Sequence, residues 1–491
     1  MVLFPFDNSY ARLPERFFTH TAPTPVQRPR LVRLNETLAR QLGLDPERLA
    51  SPEGVAVLSG NRVPDGAASI ATAYAGHQFG GFVPQLGDGR AILLGEVVDQ
   101  SGVRRDIQLK GAGPTPFSRR GDGRAALGPV LREYVVSEAM AALGIPTTRA
   151  LAAVTTGEEV AREEMLPGAV LTRVASSHIR VGTFQFFASR GDAEGVRALA
   201  DHVIARHYPE AARAERPYRA LLDAVIRAQA ELIARWLLVG FIHGVMNTDN
   251  MSVAGETIDY GPCAFLDQYG PAAVFSAIDS QGRYAYGNQP GIGGWNLTRL
   301  AECLLPLLSD DGDEAVADAT DALAAYGPSF ERAYQAGLRR KLGLQTELAG
   351  DAALALDLLK AMDANGADFT LTFRGLSEVA LEPEKDAPVR SLFADPQAYD
   401  QWVTIWRQRL AQEATDPAAR RVAMRSVNPA YIPRNHQVEA MIRAAVDRDD
   451  FGPFEELLRV LSKPFDDQLD FARYAEPPQS HERVLQTFCG T

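Results

Sequence analysis

The chain has 491 residues, of which 46% are hydrophobic and 23% charged, a composition typical of folded globular proteins rather than disordered ones. The net charge of −12 argues against a general nucleic-acid-binding surface. No apolar run approaches the roughly 18 residues of a membrane-spanning helix. The N-terminus lacks the basic region of a secretory signal, so we expect a cytoplasmic protein without membrane or nucleic-acid partners.

The first strongly patterned part of the chain begins near Tyr74. Residues 1–70 are rich in proline and are predicted to form an N-terminal extension. Residues 76–83 read as a first strand, followed by a glycine-rich turn. Residues 91–98 and 106–110 read as two further strands, the last alternating apolar and polar side chains. These elements predict an antiparallel N-lobe over residues 71–165.

Two helices are predicted next. Residues 129–143 have a proline in the first turn and a glycine after the end. The apolar face of this helix leaves Glu133 on the opposite side, free to point into a cleft. Residues 219–238 keep apolar side chains at i, i+3, i+4 and i+7 and form the longest predicted helix.

The long helix leads into a loop that begins at His243. A small hairpin over residues 251–258 is predicted to follow and to end at Asp259. Amphipathic stretches beyond residue 300 indicate a mainly helical remainder. We therefore expect a mainly helical C-lobe with a C-terminal extension over residues 166–491.

The loop at His243 has the spacing of a protein-kinase catalytic loop, except that the acid that serves as base is not at its usual position. Kinases carry H-R-D-x-x-x-x-N and then D-F-G, where the first Asp is the base and the Asn and the second Asp hold magnesium. Counted from His243, Asn250 and Asp259 fall at the metal-ligand positions, but Val245 stands where the base belongs. Asp249 is the only acid in the loop and is the candidate general base. Turn capping is the structural alternative for Asn250 and Asp259.

Lys110 and Glu133 follow the chain order of a phosphate-binding lysine and its partner. A lysine is a compact charge for phosphate oxygens, and a carboxylate holds its flexible stem. An edge-strand lysine and a solvated glutamate are the ordinary alternatives. The loop at His243, in the correct chain order, favours the functional interpretation.

Two Gly-Asp-Gly-Arg turns, at residues 87–90 and 121–124, frame Lys110. Backbone N–H groups in such turns can cradle phosphate, and a following arginine can bind its oxygens. Each motif alone indicates only a turn. Arg173 and Arg180 add two cations to an acidic chain, with ordinary surface arginines as the alternative.

Taken together, these segments closely resemble the selenoprotein O family, known in bacteria as YdiU. The resemblance extends over nearly the whole chain, in the motifs Phe6-Asp7-Asn8-Ser9-Tyr10, Tyr74-Ala75-Gly76-His77-Gln78-Phe79-Gly80, Gln108-Leu109-Lys110-Gly111-Ala112-Gly113, Asn247-Thr248-Asp249-Asn250-Met251, Asp259-Tyr260-Gly261-Pro262, Asn288-Gln289-Pro290 and Trp295-Asn296-Leu297. It implies an α+β, protein-kinase-like two-lobed fold. It also implies AMP transfer from ATP, or UMP transfer from UTP, to Ser, Thr or Tyr hydroxyls of proteins, including the chain itself.

The resemblance also implies residue roles. Nucleotide contacts are implied for Gly87, Gly89, Arg90, Lys110, Asp122, Gly123, Arg173, Arg180 and Asp259. Asp249 would be the base, Glu133 the partner of the lysine, and Asn250 and Asp259 the ligands of Mg²⁺ or Mn²⁺. An atypical protein kinase and a nucleotide-binding pseudokinase scaffold are the alternatives.

One departure from the family concerns cysteine. Eukaryotic relatives carry selenocysteine near the C-terminus, where this chain has Cys489. Some bacterial relatives have a second cysteine after the Asp-Tyr-Gly motif, where this chain has Phe275-Ser276-Ala277. A redox switch through that pair is therefore not expected.

Overall fold

The computed structural model describes residues 3–488, so Cys489 lies outside the described residues. The strands are β1 Phe18–His20, β2 Arg30–Leu34, β3 Ile70–Thr72, β4 Gly76–Gln78, β5 Gly81–Val83, β6 Ala91–Val98, β7 Arg104–Lys110, β8 Ala125–Ala126, β9 Arg149–Ala161, β10 Met165–Ala175, β11 Phe241–Ile242 and β12 Ala264–Phe265. The helices are α1 Glu36–Gln41, α2 Pro46–Ala50, α3 Pro52–Leu58, α4 Leu127–Ala142, α5 Val181–Ala188, α6 Ala193–His207, α7 Pro217–Leu238, α8 Gln289–Leu308, α9 Gly312–Ala324, α10 Tyr326–Lys341, α11 Asp351–Asn365, α12 Phe369–Val379, α13 Ala387–Arg390, α14 Pro396–Leu410, α15 Pro417–Arg425, α16 Asn435–Arg448 and α17 Gly452–Leu461.

The main sheet is antiparallel and has the order β1-β3-β6-β7-β10-β9-β2, with β8 paired to β10. The predicted strand over residues 91–98 coincides with β6, and β7 begins slightly before the predicted 106–110. The sheet contains strands that precede residue 70 and strands that follow it, and β10 begins at the predicted boundary at residue 165 and continues past it. The sheet therefore does not follow the predicted boundaries, and the division into domains 1–70, 71–165 and 166–491 stays a prediction.

The prediction of a first sheet strand over residues 76–83 was wrong. β4 and β5 pair only with each other, and the neighbour of β6 on that side is β3. The β4–β5 hairpin lies instead on the loop after β11, where the His77 backbone N–H donates to Thr248 Oγ1 at 2.7 Å. The hairpin predicted over residues 251–258 is reduced to a single bridge between Met251 and Thr257.

Helix α4 is buried on nearly every side. One side packs on the sheet, and α16 and α17 cover the other, so that Leu131 and Val135 share a core with Met441 and Leu457. Glu133, expected opposite the apolar face and free to point into a cleft, lies in the interior, on the side of α4 that faces Lys110 and Arg173 of the sheet.

From α7 onward the chain is mainly helical, as predicted, and the whole is a mixed helix and antiparallel-sheet fold. Among residues 3–488, none of the helices combines the length and the apolar character needed to cross a membrane.

Candidate active site

A cavity of about 690 Å³ opens between the sheet and the loop that follows β11. Its walls come from the turn before β6, the ends of β7 and β10, the segment 117–124, and residues 245–259. Predicted site residues that line it are Gly87, Gly89, Arg90, Lys110, Asp122, Gly123, Arg173, Arg180, Asp249, Asn250 and Asp259. Glu133 lies behind this wall, in contact with Lys110.

Four charged side chains form a largely buried cluster at the end of β7, in which only Asp259 is partly exposed. The register pairs Arg173 of β10 with Gln108 of β7, so Arg173 and Lys110 share one face of the sheet. Lys110 Nζ donates to Glu133 Oε2 at 2.6 Å, and Arg173 donates to both oxygens of Glu133. Both cations also reach Asp259 Oδ1, at 3.4 Å from Lys110 and 3.2 Å from Arg173. The predicted pair is therefore part of a four-membered network.

The cations keep both carboxyls ionised. Burial raises the pKa of the Glu133 carboxyl, but Arg173 and Lys110 outweigh it and hold the pKa below its usual range. Burial likewise opposes ionisation of Asp259, while Lys110 and Arg173 hold its pKa well below the ordinary value. For these two carboxyls, the opposite charges within a few ångströms favour the charged form by more than burial disfavours it.

Arg180 forms a second cationic wall just before α5. Its guanidinium lies 4.2 Å from the centre of the Tyr74 ring, and Nη2 is 3.6 Å from Asp88 Oδ1. Asp88 is fixed by the Thr72 hydroxyl, which donates to Oδ2 at 2.6 Å. Arg180 is buried, and its Nε has no hydrogen-bond partner among the described residues. A buried donor without a partner is costly, so it points to a ligand that supplies an acceptor.

The first Gly-Asp-Gly turn is held by the segment 115–118. Gly87 has φ +86°, and a Cβ there would lie 2.3 Å from the Phe117 ring. The Thr115 hydroxyl donates to the Asp88 carbonyl at 2.7 Å. Glycine is required because the turn is left-handed and touches the ring.

In the second turn, the acid and the arginine already have protein partners. Asp122 accepts a hydrogen bond from Arg162 Nη1 at 2.9 Å and from the Arg124 backbone N–H at 2.9 Å. The Arg124 guanidinium donates to the carbonyls of Thr24 and Pro25. The second turn thus lines the cavity with its backbone and with Asp122, while Arg124 is directed to the N-terminal segment.

His243 orients the backbone of the loop. Its Nε2 donates to the Ile258 carbonyl at 2.9 Å, and its Nδ1 accepts from the Val245 N–H at 3.3 Å. Burial lowers the pKa of the imidazole, which favours the neutral ring that these two bonds require. His243 therefore ties the loop to the residue before Asp259, which has a left-handed φ of 63°.

Asp249 lies in a single 3-10 turn, Thr248–Asn250, and is only 6% exposed. Gln78 Nε2 donates to Oδ2 at 3.1 Å, whereas Oδ1 has no partner among the described residues. Burial raises the pKa of this carboxyl to about 6. A Cβ on Gly76 would lie 2.5 Å from Oδ1, so only glycine lets β4 approach the acid this closely. A buried carboxylate with a free oxygen and a raised pKa is suited to accept a proton.

The cavity carries more positive than negative charge, although the chain is acidic. Its cationic lining residues are Arg90, Lys110, Arg119, Arg120, Arg124, Arg162, Arg173 and Arg180, and the acidic ones are Asp88, Asp122, Asp249 and Asp259. Within residues 3–488, the side chains of Arg119 and Arg120 form no ion pair. Such a concave cationic site attracts a polyanion.

A family model described as "Protein adenylyltransferase SelO" matches residues 2–462. The chain belongs to the SelO family. It is 71% identical over 490 residues to a protein nucleotidyltransferase YdiU of Rhodopseudomonas palustris (strain BisB18), with 100% of both chains covered. It is 72% identical over 495 residues to a protein of the same name from Methylorubrum extorquens, with 100% of this chain and 99% of the relative covered. The resemblance predicted from the motifs is thus confirmed.

In this SelO-family chain, the pair proposed as metal ligands has suitable oxygens. Asn250 Nδ2 donates to the Val245 carbonyl at 3.1 Å, which leaves Oδ1 for a cation. Asp259 Oδ1 accepts hydrogen bonds from Lys110 and Arg173, and Asp259 Oδ2 bonds to no other described residue. No group of three or more His, Cys, Asp or Glu in the described part of the chain could hold a metal alone. One amide and one carboxylate oxygen fit a hard cation that also takes phosphate and water oxygens.

Several residues at this SelO-family site were given no role from sequence. Gln78 and Tyr74 stand in a recognisable motif, and Asp88 stands in the first turn, but their partners lie far along the chain. Arg119 and Arg120 carry no local pattern beyond their charge. Only the tertiary contacts reveal these five.

Proposed function

We propose that this member of the SelO family transfers AMP from ATP to hydroxyl groups of proteins. The proposal rests mainly on one observation: a cationic cavity in which Asp249 presents an unpartnered carboxylate oxygen close to the Lys110–Glu133–Arg173–Asp259 cluster. The family description and the names of the YdiU relatives support nucleotidyl transfer rather than another use of such a cavity.

In the proposed reaction, Lys110, Arg173 and Arg180 bind phosphate oxygens. Asp249 takes the proton of the acceptor hydroxyl, and the acceptor oxygen forms a bond to the α-phosphorus. The bond between the α-phosphorus and the oxygen leading to the β-phosphate breaks, and pyrophosphate leaves. Asn250 and Asp259 would hold Mg²⁺ or Mn²⁺, which supplies positive charge against the phosphate oxygens.

The two Gly-Asp-Gly turns form the rest of the proposed nucleotide site. Gly87, Gly89 and Gly123 would offer backbone to the phosphates, with Arg90 and Asp122 beside them. The proposal includes a kinase-like, two-lobed arrangement, supported by the chain order of antiparallel strands, Lys110, Glu133 and the loop at His243. A cytoplasmic location and self-modification are part of the same proposal.

ATP labelled at either the α or the γ phosphate separates this proposal from its alternatives. Retention of α label on protein, with release of pyrophosphate, is the expected result. Retention of γ label would instead indicate an atypical kinase that uses Asp249 as its base. Binding of ATP without any label on protein would indicate a pseudokinase scaffold. The same assay with α-labelled UTP decides between AMP and UMP as the transferred group.

A further inference from the structure

An exposed apolar surface borders the opening of the cavity. Phe79 is 38%, Phe82 41% and Ile278 55% exposed. Phe79 and Ile278 also line the cavity itself, so this surface is continuous with the site that contains Asp249. Large exposed apolar side chains that adjoin a cleft are typical of surfaces that bind another molecule.

The same surface contains a cation that the described protein does not neutralise. The guanidinium of Arg283 lies 4.8 Å from the ring centre of Trp295, and its Nε is buried with no hydrogen-bond partner in the described residues. The nearby acid, Asp279, accepts from the backbone N–H of Arg283 at 2.9 Å. Arg299, which also stacks on Trp295, differs because it pairs with Glu302 at 2.6 Å. Arg283 is partly exposed and forms no ion pair within residues 3–488, so its guanidinium is available to an external carboxylate.

The β4–β5 hairpin connects this surface to the proposed base through hydrogen bonds. Gln78 on the hairpin donates to Asp249, and the next residue, Phe79, donates its backbone N–H to Asn247 Oδ1 at 3.0 Å. The Phe79 ring centre lies 5.1 Å from that of Tyr284, the neighbour of Arg283. A chain bound on the surface would thus be held at a set distance from Asp249.

We propose that Phe79, Phe82, Ile278, Arg283 and Trp295 form an acceptor face, which binds a segment of the acceptor protein with an acidic residue near the modified hydroxyl. The cation of Arg283 selects the acidic residue, and the aromatic rings bind an apolar neighbour. The inference rests on the proposed function for the reaction that follows binding. Binding itself can be tested separately.

Binding is measured with short peptides that contain one tyrosine flanked by glutamate, glutamine or lysine. The titration uses the full chain with magnesium and an ATP analogue that cannot be cleaved between the α and β phosphates. The glutamate peptide should bind about fivefold more tightly than the glutamine peptide, as expected for one half-exposed ion pair. Arg283→Glu should reverse the order in favour of the lysine peptide. Phe82→Ser should weaken all the peptides by a similar factor.

Arg443→Glu is the matched control, because this exposed arginine lies on α16, which packs on α4. This substitution should leave the order of the three peptide affinities unchanged. ATP affinity, measured alongside, reports whether each variant is folded. If Arg283→Glu fails to fold, Arg283→Gln should make the three peptides bind equally. Equal binding of all peptides to the unaltered chain, or an unchanged order in a folded Arg283→Glu variant, would overturn the acceptor face.

Transfer from α-labelled ATP to the same peptides separates the two proposals. Charge-selective binding without any label on the peptide would leave the acceptor face standing and refute nucleotidyl transfer. Label on the peptides without charge selection would support transfer and refute the acceptor face.

Discussion

Replacing Glu133 by glutamine tests the buried cluster directly. The substitution keeps the size of the side chain but removes the charge that Lys110 and Arg173 share. At an effective dielectric of about 20, a charge pair separated by 2.6 Å, as Lys110 Nζ and Glu133 Oε2 are, attracts by about 6 kcal/mol before desolvation is counted. Breaking a buried pair by removing one partner costs about 3–5 kcal/mol, since the other charge stays buried.

Asp259 determines where in this range of about 3–5 kcal/mol we expect the cost of Glu133→Gln to lie. It remains 3.4 Å from Lys110 and 3.2 Å from Arg173, so neither cation loses every partner. We therefore expect Glu133→Gln to lower the free energy of unfolding by about 3 kcal/mol, the lower end for a broken buried pair. Urea-induced unfolding at neutral pH, followed by tryptophan fluorescence, measures this difference.

The control is Glu455→Gln, which removes one partner of an ion pair with Arg33 whose side chains are 41% and 44% exposed. It should cost no more than about 1 kcal/mol, the usual limit for an exposed pair. Adding Arg173→Met to Glu133→Gln should cost less than the sum of the single substitutions, because the cation that lacks its partner is also removed. A Glu133→Gln variant as stable as the exposed control would refute the view that this carboxylate holds the cations in place.

Asp249→Asn keeps the shape of the side chain but not its basicity, so transfer should fall by about 10²–10⁴-fold while calorimetry finds ATP binding nearly intact; loss of ATP binding would contradict the role of base. Because the base acts when deprotonated and burial raises the pKa of Asp249 to about 6, kcat/KM should be level above that pH and fall as the pH drops through it. A profile without this fall would speak against Asp249. Arg180→Ala should weaken ATP binding far more than adenosine binding, because only contacts to phosphate are lost; equal weakening would indicate damage to the fold. Gly76→Ala should slow transfer, since its Cβ would lie 2.5 Å from Asp249 Oδ1, and an unchanged rate would show that β4 yields without moving the acid.

Much of the fold and of the candidate site could be predicted from sequence, because the signals are local. A short apolar run located β6, the alternation of apolar and polar side chains located the end of β7 at Lys110, and the helical periodicity located α7. The spacing from His243 to Asp259 is a property of one short stretch of chain. The lengths and order of the motifs were sufficient for the family.

Pairing and burial depended on residues distant in sequence. The segment 76–83 has strand character, but nothing within it indicates that it pairs on itself and lies against Asp249 rather than joining the sheet. Glu133 was expected to point into a cleft, but a helical pattern does not reveal that its carboxylate is buried against Lys110 and Arg173 of the sheet.

The sequence by itself determined the family, and it predicted which residues would line the cavity and the order in which they occur. Only the tertiary structure decided their environment: Arg173 joins Lys110 at Glu133 through the register of β10 with β7, and Gln78 reaches Asp249 through the fold of a separate hairpin. The physical reason is that periodicity and motif spacing reflect neighbours along the chain, whereas charge pairing and desolvation depend on neighbours in space.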